Sequence, residues 1–178
     1  MNLPNKLSLT RIALIPLMVA LMYPNTTVCN LLAAAVFALA AFTDFLDGHI
    51  ARKQHIVTDF GKFVDPVADK LLVLSALIML IQHGVMPAWV VVVILARELC
   101  VDGLRMVAVG RGRVIAAGKL GKIKTVSQIV LILWLMLSHQ PALRHPVSII
   151  LTVWVLVITL WSGVDYFVKN GSCLRDVK

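Results

Sequence analysis

Four aspartates lie close together in the sequence, between two of its most apolar stretches. Asp44 and Asp47 are three residues apart, and Asp65 and Asp69 are four residues apart. On α-helices these spacings place the members of each pair on one face. Oxygen ligands without His or Cys favour Mg²⁺ or Mn²⁺ over zinc or copper. Four carboxylates could hold two such ions, an arrangement common in phosphoryl transfer.

Three small residues accompany the aspartates. Gly48 and Ala51 share the helix face of the first pair, and Gly61 lies one turn before the second pair. They leave space either for close helix packing or for a ligand against the backbone. Two alternatives remain, namely salt bridges between the aspartates and nearby Lys and Arg residues, or the ion pathway of a transporter. Four acids on two facing helices favour a ligand site over salt bridges.

The composition predicts an all-α, polytopic membrane protein. Of the 178 residues, 60% are hydrophobic and only 15% are charged, an apolar share above that of a soluble domain. A membrane span needs about 20 mostly apolar residues, and breaks rich in Pro, Gly and Asn divide the chain into six such segments. They run roughly over Leu7–Tyr23, Cys29–Ala51, Phe60–Ile81, Ala88–Val109, Gly121–Ser138 and Val147–Val168. We expect one membrane domain over residues 1–178.

The basic residues predict how these six segments are oriented. Of the 17 Lys and Arg residues, all except Lys70, Arg97 and Arg144 lie in or next to the N-terminal end, the second or fourth connection, or the C-terminal tail. Basic residues mark cytoplasmic loops, so both termini and the aspartates are expected on the cytoplasmic side. The net charge of +8 then lies where anionic lipid headgroups and soluble anions meet the protein. No nucleic-acid partner is expected.

Pro66 follows Asp65 directly, which biases Asp65 away from helical geometry. The third helix either begins here, with Asp65 as its N-cap, or bends here and changes the direction of Asp65. The sequence leaves both geometries open.

A second group of charged residues lies in the fourth segment, which is otherwise apolar. Arg97 and Glu98 lie near its middle, and Asp102 and Arg105 follow at helical spacing. Glu98, Asp102 and Arg105 could form a ladder of ion pairs along the helix, so the roles of the two acids stay open. Arg97 points to another side of the helix and is the better ligand candidate.

Basic residues also surround two glycines at the start of the fifth segment. Lys122 and Lys124 lie where a helix N-terminus would favour an anion. The alternative is that such lysines face lipid headgroups as in any cytoplasmic loop, which we favour for Lys119. A strongly cationic pocket suits a phosphorylated alcohol better than free serine or choline.

The aspartate stretch as a whole resembles the signature of the CDP-alcohol phosphatidyltransferase family. Eight fixed positions match over 26 residues, namely Asp44-x-x-Asp47-Gly48-x-x-Ala51-Arg52, eight further residues, and Gly61-x-x-x-Asp65-x-x-x-Asp69. The resemblance implies a six-helix membrane domain, usually a homodimer, that is active at the cytoplasmic surface of a bacterial inner membrane. It also implies transfer of the phosphatidyl group of a CDP-linked lipid to an alcohol, with release of CMP.

The same resemblance implies roles for individual residues. Asp44, Asp47 and Asp65 would bind metal, and Asp69 would both bind metal and act as the general base on the acceptor hydroxyl. The residues that it relates to the CDP-lipid are Asn5, Ser8, Arg11, Gly48, Ala51, Arg52 and Gly61.

Further segments resemble the members of this family that use glycerol 3-phosphate as the acceptor. They are PNKLSLTRIALIP near the N-terminus, ARE at residues 96–98, GLR at residues 103–105 and GKIKT at residues 121–125. The expected ligands of the acceptor phosphate are Arg97, Arg105, Lys122 and Lys124. The nearest alternative is another acceptor, such as serine, inositol phosphate or phosphatidylglycerol. From a different class, a divalent-cation or proton-coupled transporter stays open.

Overall fold

The computed structural model describes residues 3–54, 59–110, 115, 118–139 and 141–171, and of residues 3–8, 44–54 and 59–66 it describes the backbone only. Within these residues the chain forms six α-helices and no strand. The helices are α1 (Leu3–Met22), α2 (Thr27–Gln54), α3 (Asp59–Gln82), α4 (Ala88–Gly110), α5 (Lys119–Ser138) and α6 (Pro146–Asn170). The prediction of an all-α chain with six helical segments is confirmed.

The helix bounds differ from the predicted bounds mainly at the first two helices. α1 begins at Leu3 and α2 continues to Gln54, so both include polar residues next to the apolar segments. α3 begins at Asp59, well before Pro66, and the alternative in which Asp65 caps the start of this helix is therefore wrong. Pro66 is the eighth residue of α3, beyond the first turn, so it removes one backbone hydrogen bond from the interior of the helix.

Two helices, α5 and α6, are long and apolar enough to cross a membrane within the described residues. Shorter apolar helical stretches cover Leu9–Met22 and Thr27–Thr43. In the remaining two helices, α3 and α4, charged residues interrupt the apolar sequence.

The chain divides into two compact units. Unit 1 comprises Met1–Val85 with Ile132–Pro141, and unit 2 comprises Met86–Leu131 with Ala142–Lys178. In unit 1, α1 packs against both α2 and α3. α1 buries Arg11, Ile15, Met18 and Met22, whose spacing of three and four residues defines one helix face.

Small residues are among those that the two helices facing α1 bury. Ala33 and Ala40 of α2 and Ala68 and Ala76 of α3 are fully buried, with Phe37 between the α2 alanines. Small residues stabilise contacts between helices because they allow the two backbones to approach closely. The alanine-rich sequence of α2 thus brings the backbone near Ala40 close to α1.

Gly84 ends α3. Its φ is +69°, a left-handed conformation that costs a residue with a Cβ about 1–2 kcal/mol. The Gly84 N–H donates to the Ile81 carbonyl at 2.9 Å, and the Val85 N–H donates to the Leu80 carbonyl at 3.0 Å. These are the two bonds of a Schellman motif, which explains why the apolar segment stops at this glycine.

We expect Gly84→Ala to lower the free energy of unfolding by about 1 kcal/mol. The cost comes from the backbone, since a Cβ at Gly84 would have no heavy atom within 4 Å. Chemical unfolding in detergent measures it. Gly110→Ala, where the added Cβ would also be in open space but the backbone is helical, is the matched control and should not destabilise the protein. Equal stability of the two variants would contradict the strain argument.

A cluster of polar side chains ties the start of α2 to the residue after α5, within unit 1. Asn30 is 3% exposed, and its Nδ2 donates to Asn25 Oδ1 at 3.0 Å and lies 3.1 Å from His139 Nδ1. Burial, and to a lesser degree the neighbouring His139, lowers the pKa of His83 below its ordinary value. Burial therefore favours the neutral form of His83.

Unit 2 is built on the contact between α4 and α6. α4 presents an ordinary apolar face that includes Val101, Leu104 and Ala108. The buried face of α6 is different, because most of its members are small or carry a hydroxyl. They are Ser148, Thr152, Val155, Ile158, Thr159, Ser162, Gly163 and Tyr166. This polar face lies against the helix that carries Arg97 and Arg105.

Candidate functional site

In unit 1, a buried arginine holds one of the four aspartates. Arg11 of α1 is 1% exposed, and its Nη1 donates to Oδ1 of Asp69 in α3 at 2.5 Å. Its Nε donates to the Ala40 carbonyl of α2 at 3.3 Å. The same carbonyl accepts the Thr43 hydroxyl at 2.8 Å. Three helices thus fix this guanidinium, one turn before Asp44.

The two partners of this ion pair differ in their exposure. A buried guanidinium without an anion would be costly, so the Asp69 carboxylate supports the position of Arg11. The Asp69 side chain is 42% exposed, so the carboxylate can still meet a ligand. Arg11, which the sequence analysis relates to the CDP-lipid, therefore contacts the residue expected to act as the base.

The other members of the aspartate motif lie outside the described side chains. They are Asp44, Asp47, Gly48, Ala51, Arg52, Gly61 and Asp65, and the same holds for Asn5 and Ser8. Among the residues whose side chains are described, no group of three or more His, Cys, Asp or Glu could hold a metal ion. The metal site therefore stays a prediction from the motif. The motif supplies only carboxylate oxygens, and such a donor set fits Mg²⁺ or Mn²⁺.

In unit 2, a single carboxylate binds two cations. Lys124 Nζ of α5 donates to Oε1 of Glu98 in α4, and Arg97 Nη1 donates to the same oxygen at 3.2 Å. Lys124 is 5% exposed. Since a buried ammonium group is costly without a partner, Glu98 stabilises Lys124 in this position. Glu98 thus forms an ion pair with a residue of another helix, Lys124 of α5.

Arg97 is held from α6 as well. Its Nη2 donates to the Ser162 hydroxyl at 3.0 Å, and that hydroxyl donates to the Thr159 carbonyl at 3.0 Å. Two of the five N–H groups of the guanidinium are used by Glu98 and Ser162. The Arg97 Nε is buried and has no hydrogen-bond partner in the described part of the chain. A buried donor without a hydrogen bond costs about 1–3 kcal/mol. Arg97 thus keeps unused capacity to donate to an anion.

Arg105 contacts the last turns of α6. Its Nε donates to the Tyr166 hydroxyl at 3.0 Å, and its guanidinium carbon lies 5.4 Å from the centroid of the Tyr166 ring. The charges of Arg97 and Arg105 both act on Lys124. We call Arg97, Arg105, Lys124 and Glu98 the cationic cluster, and its positive charges exceed its negative one.

The structure separates the two lysines that the sequence analysis grouped. Lys124 is buried in the cationic cluster, whereas Lys122 is exposed. Two residues along a helix correspond to a rotation of about 200°, so the two side chains cannot share a face. Three of the four expected phosphate ligands are thus brought together, and Lys122 is not among them.

Sequence reasoning did not find the partners on α6. Ser162, Gly163 and Tyr166 lie in a segment that looked like an ordinary apolar span. The detectable signal was the row of small and hydroxyl residues at helical spacing, from Ser148 through Thr152 to Thr159 and beyond. The pairing of Arg11 with Asp69 had no signal in the sequence, because 58 residues separate them.

Comparison with known proteins gives consistent matches over nearly the whole chain. The model of the CDP-alcohol phosphatidyltransferase family matches residues 1–161, which include helices from both units. The CDP-diacylglycerol–glycerol-3-phosphate 3-phosphatidyltransferase of Bacillus subtilis is 46% identical, over 98% of this chain and 97% of its own length.

Two further relatives carry closely related names. A protein of Rickettsia typhi with the same name as the Bacillus relative is 38% identical, over 93% of this chain and 95% of its own length. A probable phosphatidylglycerophosphate synthase of Mycobacterium tuberculosis is 41% identical, over 99% of this chain and 83% of its own length.

Proposed function

Because the chain belongs to the CDP-alcohol phosphatidyltransferase family, we propose that it transfers the phosphatidyl group of CDP-diacylglycerol to glycerol 3-phosphate and releases CMP. The observation that carries the choice of acceptor is the cationic cluster in unit 2, with Lys124 and Arg97 buried beside a single glutamate. A phosphorylated alcohol supplies the anion that such a cluster suits. The names of the relatives, which match over nearly the whole chain, support the same acceptor.

The aspartates serve the CDP-lipid in this proposal. Asp44, Asp47, Asp65 and Asp69 would hold Mg²⁺ or Mn²⁺, and four carboxylates have the capacity for two ions. When bound, the metal would neutralise charge on the diphosphate and on the leaving CMP. Asn5, Ser8, Gly48, Ala51, Arg52 and Gly61 would line the site of the nucleotide and diphosphate.

Asp69 acts as the general base in the proposed reaction. A hydroxyl oxygen of glycerol 3-phosphate attacks the phosphorus of the phosphatidyl group, and Asp69 takes the hydroxyl proton. A new phosphate ester forms as the bond between this phosphorus and the bridging diphosphate oxygen breaks, and CMP leaves with that oxygen. Arg11 supports this step because its contact with Asp69 Oδ1 fixes the direction of the carboxylate.

The cationic cluster binds the phosphate of the acceptor in this proposal. Arg97, Arg105 and Lys124 supply the charge, while Glu98 keeps Arg97 and Lys124 in place. A guanidinium group can donate two parallel bonds to a phosphate. Lys122 is exposed and would attract the substrate from solution more than bind it.

We further propose that all six helices span a bacterial inner membrane, with both termini and the active site on the cytoplasmic side. Each helix has at least 20 residues, enough to cross the hydrocarbon core. Large apolar side chains are exposed on all six helices, for example Leu17, Leu39, Ile78, Val92, Val130 and Trp161. The family model extends over both units, which supports one functional domain, and we expect a homodimer.

Release of CMP by the purified protein in detergent tests the proposed function. The assay contains CDP-diacylglycerol and Mg²⁺ with one acceptor at a time, namely glycerol 3-phosphate, serine, inositol phosphate or phosphatidylglycerol, and a control without metal. We expect metal-dependent release with glycerol 3-phosphate alone. Release with a different acceptor would overturn the choice of acceptor. No release with any acceptor would overturn the proposed reaction and favour a transport site.

A further inference from the structure

Gly163 of α6 lies against the stem of Arg97. A Cβ on Gly163 would be 3.1 Å from Cγ of Arg97 and 3.8 Å from its Nε. The shorter distance is tighter than nine in ten real Cβ contacts. Arg97 would have to move by a few tenths of an ångström to admit it. Gly163 is buried, and its neighbours on the same face of α6 are also buried.

Ser162 fixes the other end of the same side chain. Its hydroxyl accepts a hydrogen bond from Arg97 Nη2 at 3.0 Å and donates one to the Thr159 carbonyl at 3.0 Å. Because the hydroxyl is itself held by the backbone, it offers Nη2 an acceptor in one defined place. Adjacent residues of one helix therefore contact the stem and the head of Arg97.

We propose that Ser162 and Gly163 position the Arg97 guanidinium and thereby determine how tightly the phosphorylated acceptor binds. This inference rests on the proposed function, because it takes the phosphate of the acceptor as the ligand of Arg97. Gly163 provides the space for the stem, and Ser162 sets the rotation of the head. Neither residue touches the acceptor itself, so both are positioning residues.

The position of the guanidinium matters because its remaining donors must match the phosphate oxygens. Planar, two-pronged donation has strict geometry, and a misplacement of about 1 Å can cost about 100-fold in rate. A shift of a few tenths of an ångström is therefore expected to weaken binding by roughly threefold to tenfold. The CDP-lipid should be unaffected, because its proposed ligands lie on α1, α2 and α3.

The test compares wild type, Gly163→Ala and Ser162→Ala in two measurements. Calorimetry gives the affinity for glycerol 3-phosphate, and CMP release gives KM for each substrate. Both variants should bind glycerol 3-phosphate about threefold to tenfold more weakly, with KM for CDP-diacylglycerol unchanged. Ser162→Thr keeps the hydroxyl and should restore affinity. Gly110→Ala, a helical glycine of the same unit with open space around it, is the matched control.

A double-mutant cycle separates positioning from a merely structural effect. If Gly163 acts through Arg97, Gly163→Ala should add nothing to the loss caused by Arg97→Ala. Additive losses, or unchanged affinity in Gly163→Ala and Ser162→Ala, would overturn the inference. If wild type binds glycerol 3-phosphate without releasing CMP, the proposed reaction fails while the positioning inference is still decided by the affinities. If wild type does not bind glycerol 3-phosphate, both fail.

Discussion

Replacement of Asp69 by asparagine is expected to lower turnover by about 100-fold to 10,000-fold, the range that a general base contributes. Asparagine has nearly the same shape and keeps an oxygen that can accept the hydrogen bond from Arg11. It cannot take the proton of the acceptor hydroxyl, and it is a poorer ligand for a divalent cation. The rate of CMP release at saturating concentrations of both substrates measures the effect.

Asp165→Asn is the matched control for this change. Asp165 is also an ion-paired aspartate, with Lys169 Nζ 2.7 Å from its Oδ1, but the proposed mechanism does not use it. Its replacement should leave turnover within about twofold of wild type, because pairs of this kind contribute less than about 1 kcal/mol. Thermal unfolding of both variants shows whether Arg11 tolerates the loss of its anion. A folded Asp69→Asn variant with near-normal turnover would rule out Asp69 as the base.

Lys124→Ala is expected to raise KM for glycerol 3-phosphate by about tenfold to 100-fold, with little change in KM for CDP-diacylglycerol. A hydrogen bond to a charged group contributes about 1.5–3 kcal/mol, and each 1.4 kcal/mol corresponds to about a factor of ten in affinity. Initial rates of CMP release, with each substrate varied in turn, give both constants. Lys119→Ala is the control, because Lys119 is an exposed lysine of the same helix without a proposed role.

Lys124→Ala also removes one of the two cations that contact Glu98. A second variant, Glu98→Gln, separates the loss of phosphate binding from the loss of this ion pair. Glu98→Gln retains an oxygen that can accept from Arg97 but removes the charge that Lys124 neutralises. If Lys124 only balances Glu98, the double variant should recover a KM close to that of Glu98→Gln alone. If Lys124 binds the phosphate, the KM of the double variant for glycerol 3-phosphate should stay above that of Glu98→Gln alone. Equal changes in KM for both substrates in Lys124→Ala would instead indicate a general disturbance of the protein.

The sequence predicted the six helices because their signals are local. Apolar length defines each segment, and residues with special backbone geometry end it, as Gly84 does at the end of α3. The apolar segment predicted from Phe60 agrees with the start of α3 at Asp59 to within one residue, but Pro66 left open whether the helix begins there or bends. Neighbouring turns override such a local preference when the helix continues on both sides.

The candidate site was predictable only in part, because its contacts join distant residues. The aspartate motif identified Asp69, but nothing near it in the sequence points to Arg11. The sequence does contain a signal that Lys124 is buried and Lys122 is not. One buried face of α5 repeats at helical spacing and consists of Lys124, Gln128, Leu131 and Leu135. Which helix lies opposite such a face depends on packing. That is why Ser162 and Gly163 emerged only from the structure.

The contact between Glu98 and Lys124 joins residues that are 26 positions apart, and this separation bears on how the chain is made. In a chain that spans the membrane, α4 leaves the ribosome ahead of α5. A charged residue at the centre of a span costs about 2.5–3.5 kcal/mol on insertion. Arg97 pairs with Glu98, but it lies on the same helix and is itself a charged residue that must be inserted. If α4 and α5 both cross the membrane, as proposed above, we expect α4 to insert more favourably together with α5, because Lys124 of α5 supplies a second cation for Glu98.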